Sequence, residues 1–210
     1  SGNKGEYGSA FYSASDATLT ISGSTFDDNY STDNGGAMWV GGGYMTIEDS
    51  TFTSNSTPDY GGVLYTIDVD TIDISNSVFS DNSADYGGAI YNECCSTVTV
   101  TGSLFDGNTA DSSGGAIYQA DALTVSDSTF INNEAGSGAA VFEDTGPTEI
   151  TNSFFGSNIG EDILSTGGDL TLNFVTLVSS TVVSAAVMAS SQFTVNASVI
   201  TDAVAACDTT

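Results

Sequence analysis

An internal repeat constrains this chain more than any other feature. The pattern Ser, one residue, Phe, two residues, Asn recurs six times, setting Phe26, Phe52, Phe79, Phe105, Phe130 and Phe155 ahead of Asn29, Asn55, Asn82, Asn108, Asn133 and Asn158. A second motif precedes each copy: Gly8-Ser9-Ala10-Phe11, Gly35-Gly36-Ala37-Met38, Gly61-Gly62-Val63-Leu64, Gly87-Gly88-Ala89-Ile90, Gly114-Gly115-Ala116-Ile117 and Gly138-Ala139-Ala140-Val141. A period of about 25 residues marks a solenoid, in which each unit buries its apolar face only against its neighbours. Two degenerate copies follow, with Leu177 and Ile200 at the Phe position.

Each unit also contains a run of period two, such as Leu19-Thr20-Ile21, Val98-Thr99-Val100 or Leu170-Thr171-Leu172. Alternation of this kind predicts a half-buried strand. Two residues on stands a column of Gly23, Asp49, Asn76, Gly102, Asp127 and Asn152. Only residues that tolerate a left-handed backbone occupy it, which predicts a sharp bend between strands. Ser24, Ser50, Ser77, Ser103, Ser128 and Ser153 come next, then the Phe strand, a polar loop and the Gly-Gly turn into a third short strand.

Three short strands and three bends per unit predict an all-β parallel β-helix of about eight rungs, each strand pairing with its equivalent one rung away at roughly 4.8 Å. Equivalent residues then stack, so that the Phe and Asn columns become ladders of rings and of amides inside the coil. A leucine-rich repeat has a similar period, but it requires several Leu per unit and this chain has eight in all. The reading is of one β-helix domain over residues 1–210, regular over 7–158 and degenerate over 159–210.

The pairing of Gly-Gly-Ala-Ile with Phe-x-x-Asn over residues 7–158 resembles the repeat of chlamydial polymorphic outer-membrane proteins and related microbial surface proteins. The resemblance implies a right-handed β-helix exposed at a cell surface, adhesive or structural, often the passenger of an autotransporter. Beyond residue 158 the motifs decay: Glu161-Asp162-Ile163-Leu164 replaces the Gly-Gly turn, and Ser180 stands where Asn is expected.

Charge narrows the functions. With 27 acidic side chains, one Lys, and neither Arg nor His, the formal net charge is −26. Nucleic acid and anionic membranes are excluded as electrostatic partners. No His-dependent triad, His-ligated zinc or Arg clamp can be built. β-Helices are familiar scaffolds of pectin-degrading enzymes, but here acids recur with the repeat instead of pairing in one cleft, and Lys4 is the one basic side chain a lyase could use. We therefore expect no enzyme. The expected setting is extracellular or cell-surface, without direct membrane insertion. The start at Ser1 fits a processed secreted protein or a piece of a longer chain.

Several columns are candidate sites. Asp33, Asp59, Asp85 and Asp111 recur once per rung in the polar loops. In register they make a ladder of like charges that invites screening by salt or bridging by Ca2+, whereas as Asx-turn residues they splay into solvent. Tyr12, Trp39, Tyr65, Tyr91, Tyr118 and Phe142 each follow the bulky apolar residue of the third strand. Strand alternation puts one of these two columns inside, and if the aliphatic one is inside the aromatics form an exposed stripe for sugar stacking or for lateral packing between rods. Cys94 and Cys95 are expected to form a vicinal or an intermolecular disulfide, or to stay as buried thiols. Cys207 lies about four rungs, near 19 Å, from them, beyond disulfide reach unless the tail folds back. Sequons occur at Asn29, Asn55 and Asn196. The first two are ladder positions, so only Asn196 is expected to accept a glycan.

Composition and repeats together point to a non-enzymatic rod or filament subunit that associates with itself, or to an adhesin segment binding other surface proteins or glycans. The less polar last units, with Val182, Val183, Val187 and Met188, are a candidate partner contact.

Overall fold

Every pairing joins strands equivalent in sequence, and every pair is parallel. In the computed structural model, which describes residues 1–178 and 187–201, the chain winds as an all-β solenoid without a helix among the described residues. The Phe strands build an eight-stranded sheet from Thr25–Asp27 to Val199–Thr201, in the register Phe26, Phe52, Phe79, Phe105, Phe130, Phe155, Leu177, Ile200. Eight strands among the described residues agree with the expected eight rungs, and at seven spacings of paired strands they span about 34 Å.

The faces of the coil differ from the sequence expectation in one respect. The strand after the Gly-Gly turn and the alternating strand lie in a single 14-stranded sheet, and in two rungs they fuse into the continuous strands Met38–Glu48 and Leu64–Ser75. The third face comes from the polar loops, which pair as Ser83–Tyr86, Thr109–Ser113 and Glu134–Ser137. Their pairing follows from the Asn column, because backbone bonds such as Thr109 N to Asn82 O and Glu134 N to Asn108 O begin each loop in register with the next.

Inside the coil, Phe52, Phe79, Phe105, Phe130 and Phe155 are fully buried, their rings stacked at 4.7–4.8 Å. Burial of each such ring contributes roughly 1.5–3 kcal/mol, and stacking adds to it. Beside them the ladder amides from Asn55 to Asn158 each donate twice. Asn82 Nδ2 donates to Phe52 O at 3.1 Å in the rung before and to Asn108 Oδ1 at 2.9 Å in the rung after. The Ser column forms a third ladder, in which Ser77 N donates to Ser103 Oγ at 3.1 Å while Ser77 Oγ donates to Ser75 O at 2.8 Å.

The predicted bends are left-handed throughout: φ is +54° at Gly23, +50° at Asp49, +49° at Asn76, +59° at Gly102, +52° at Asp127 and +48° at Asn152. The column continues through Phe174 at +56° and Ala197 at +45°, residues no turn rule selects. A second left-handed column, unforeseen, precedes the ladder Asn: Asp28, Ser54, Asp81, Gly107, Asn132 and Ser157. The two glycines of the Gly-Gly turn serve different ends. Gly61 has φ +70°, whereas Gly62 has an ordinary φ but a Cβ there would stand 2.0 Å from Gly88 O in the next rung. One glycine makes the corner and the other lets two backbones touch.

Candidate functional site

Alternation in the strand after the Gly-Gly turn places Met38, Leu64, Ile90, Ile117 and Val141 inside, all with no exposed surface. The neighbouring column therefore faces outward. Tyr12, Trp39, Tyr65, Tyr91, Tyr118 and Phe142 pair in register and form one continuous tape, with centroid separations of 4.7, 6.0, 5.7, 4.6 and 4.9 Å and interplanar angles of 21° or less. Because the rings stack along the coil axis, each covers its neighbours' faces. Tyr12 is exposed and Trp39, Tyr91, Tyr118 and Phe142 are half-buried, whereas Tyr65 is buried, with 6 % of its surface exposed.

A second row, missed in the sequence, flanks the tape. Tyr60 packs against Tyr65, Tyr86 and Tyr91, Tyr86 meets Tyr118 edge-on, and Tyr7 leans on Tyr12. The signal was the dipeptide Tyr-Gly at Tyr7-Gly8, Tyr60-Gly61 and Tyr86-Gly87, ahead of the motif counted from Gly. Packing at this face favours the protonated phenol at two positions: burial pushes Tyr91 up, and burial with the charge of Asp144 pushes Tyr118 up to about 12. Tyr7 is raised by its hydrogen bond to Asp33.

The four loop acids recur on one face but act singly. Asp85 Oδ1 receives Ser112 Oγ at 2.6 Å and Asp33 lies beside Tyr7, while Asp59 and Asp111 are exposed. A register shift between Ala84 and Tyr86 sets Asp85 against an extra residue in the next rung, so the carboxylates do not superpose as a simple ladder. Among the described residues no three of them gather within ligating distance; the one such trio is Asp68, Cys94 and Cys95.

Cys94 and Cys95 stand as two thiols in contact, Cys95 Sγ donating to Cys94 Sγ at 2.7 Å. That hydrogen bond, followed by burial, pushes the Cys94 thiol up to about 12. Cys207 lies outside the described residues, as do Val182, Val183 and Ser180; Val187 continues the sheet by pairing with Ile163. The ladder sequons Asn29 and Asn55 are buried, while Asn196 is exposed, its Nδ2 donating to Asn173 Oδ1 at 2.8 Å.

Two further acids, also missed, lie inside the coil. Glu143 and Asp162 have 0 % and 1 % of their surface exposed. Glu143 occupies an inward polar column with Thr66, Asn92, Gln119 and Ser165, and burial raises its pKa although Ser165 Oγ donates to it at 2.5 Å. Asp162 replaces the small residue of the second motif, and desolvation pushes it up to about 6.

The stacked ladders, the left-handed corners and the closely touching Gly-Gly turns define a parallel β-helix, of the right-handed family. The chain belongs to this family: the model described as right handed beta helix region matches residues 3–130. No curated protein and no solved structure matches the chain.

Proposed function

We propose that this chain is a non-enzymatic structural module of an extracellular surface, of the polymorphic outer-membrane type its repeat resembles, and that its rods associate side by side through the aromatic tape. One observation carries the reading: the rings of the tape stack on one another in register, one per rung, and all but Tyr65 keep part of their surface exposed. Stacking on a sugar requires a free ring face, and the tape withholds its faces between Tyr12 and Phe142. A partner that meets every edge must share the rung spacing, and a second copy of this chain does so by construction.

Charge argues in the same direction. The side chains of the tape are themselves uncharged on a chain of net charge −26, so a contact along them brings no carboxylates of the tape together. Salt or divalent cations are then needed to screen the rest of the surface. Against catalysis stands the position of the two acids raised by burial. Glu143 and Asp162 lie inside the coil, where a substrate does not reach them.

The test is sedimentation and electron microscopy at high salt with calcium, and again with chelator. Side-by-side pairs or bundles are expected for the unaltered chain, and single rods for Trp39→Ser with Tyr91→Ser. Single rods for both chains at every concentration would overturn lateral association and favour an adhesin. Bundles that persist in the double variant would move the contact off the tape.

A further inference from the structure

The turn Glu93-Cys94-Cys95-Ser96 joins Ile90–Asn92 to Thr97–Thr101 and lies between the continuous strand Leu64–Ser75 of the rung before and the turn that joins Ile117–Gln119 to Leu123–Ser126 in the rung after. Glu93 N bonds to Thr66 O in the rung before, and Ala120 N bonds to Asn92 O from the rung after. This register sets Asp68 on one side of the cysteines and Asp121 on the other. Asp121 Oδ2 accepts from Cys95 N at 2.5 Å and so holds the left-handed corner at Cys95, where φ is +67°. With that corner held, both sulfurs turn toward Asp68. Cys94 Sγ lies 3.5 Å from Asp68 Oδ1 and 2.7 Å from Cys95 Sγ, and the three ligand atoms fall within 4.8 Å of one another.

We propose that Cys94, Cys95 and Asp68 bind one thiophilic cation of the zinc and cadmium type. Two thiolates with one carboxylate form a donor set that soft or borderline divalent ions prefer, and one from which calcium, an ion of oxygen ligands, gains little. Binding is a simple exchange. Two S–H bonds give their protons to solvent, two metal–sulfur bonds and one metal–oxygen bond form, and nothing is oxidised or reduced. The dication offsets the two new thiolate charges, leaving the site at the single negative charge of Asp68. That balance matters on a chain already at −26. Three protein ligands leave the fourth tetrahedral position to water, and Cys95 and Asp68 are exposed, so the ion can enter directly.

The experiment uses the full chain carrying Cys207→Ser, reduced and then freed of reductant, with two thiols confirmed by a thiol reagent. Titration with cadmium alone is followed by the thiolate-to-cadmium charge-transfer absorbance and by native mass spectrometry, both in excess calcium to occupy surface carboxylates. One ion per chain is expected. Cys94→Ser or Cys95→Ser should abolish the absorbance, and Asp68→Asn should weaken binding at least tenfold. Chain oxidised to the Cys94–Cys95 disulfide should take up no cadmium and recover on reduction. A reduced, folded chain with two reactive thiols and no charge-transfer band would overturn the site, and so would unchanged affinity in Asp68→Asn. Neither outcome depends on whether the rods associate.

Discussion

Asn158 Nδ2 donates to Asp162 Oδ1 at 2.6 Å, within a column of amides that begins at Asn3. At every earlier rung the same amide hydrogen goes to the Oδ1 of the next Asn, as from Asn108 to Asn133 at 3.0 Å. Asp162 supplies the acceptor from the same rung, four residues along the chain. The oxygen it uses is a carboxylate's, and its second oxygen, Oδ2, is buried without a hydrogen-bond partner.

From this follows a pH dependence. Burial lifts Asp162 from its ordinary 3.8 to about 6, so the folded chain binds this proton more tightly than the unfolded one. Stability is therefore greatest below the unfolded value, falls as pH rises between the two values, and levels above about 6; the interval corresponds to about 3 kcal/mol. Glu143, also raised, adds in the same sense. Urea unfolding at pH 4.5 and 7.5 should show the acid side more stable. Asp162→Asn should flatten the difference and raise stability at pH 7.5 by on the order of 1–2 kcal/mol, because it keeps the acceptor and removes the buried charge.

Cutting the ladder in the middle should cost more than removing any surface polar group. Asn82→Ala leaves Asn55 N, Asn55 Nδ2, Phe52 O and Asn108 Oδ1 short of a partner, all deep in the coil. At roughly 1–3 kcal/mol for each buried group left unpaired, partly relieved by relaxation, a loss on the order of 4 kcal/mol is expected from denaturant titration. A loss below 1 kcal/mol would mean that the ladder reports on the fold without stabilising it.

The corners separate steric from conformational need. Gly23→Ala introduces a Cβ with nothing within 4 Å, so its expected cost of about 1 kcal/mol comes from the left-handed backbone alone. Gly62→Ala meets Gly88 O at 2.0 Å without any unusual φ and should cost on the order of 3 kcal/mol by forcing two rungs apart. Phe174 holds φ +56° with 64 % of its surface exposed, so Phe174→Gly relieves strain and removes little packing. A net gain of roughly 0.5–1 kcal/mol is expected in thermal or urea unfolding.

Expression in a glycosylating host supplies a check independent of stability. Asn29 and Asn55 donate and accept inside the ladder with 1 % and 0 % of their surface exposed, so neither sequon should be occupied in folded protein. Asn196 should be the modified site. Peptide mass spectrometry that places a glycan on Asn55 of folded chain would show that the ladder opens on the pathway of secretion.

The architecture was legible because a solenoid repeats environments as well as residues. Each Phe meets a Phe above and below, so the column at Phe52 and Phe79 keeps one residue type, and the same logic exposes the Asn and Ser columns. Left-handed corners could be read where Gly, Asp and Asn alternate. They could not be read at Phe174 and Ala197, where the neighbouring rung imposes the conformation on residues that disfavour it. The polar-loop face was missed because its residues carry no alternation; its strands exist through backbone bonds that continue the Asn ladder.

The sequence by itself determined the period, the parallel stacking and the identity of the buried ladders, since each depends only on equivalent residues meeting one rung apart. Tertiary structure decided what depends on direction and on unequal turn lengths. It stacked the aromatic column on the outer side of its strand, broke the register of the Asp column at Asp85, brought Asp68 to the two cysteines, and turned Asp162 inward to accept from Asn158. Those outcomes rest on where a side chain points within its rung, and a spacing along the chain carries no information about that direction.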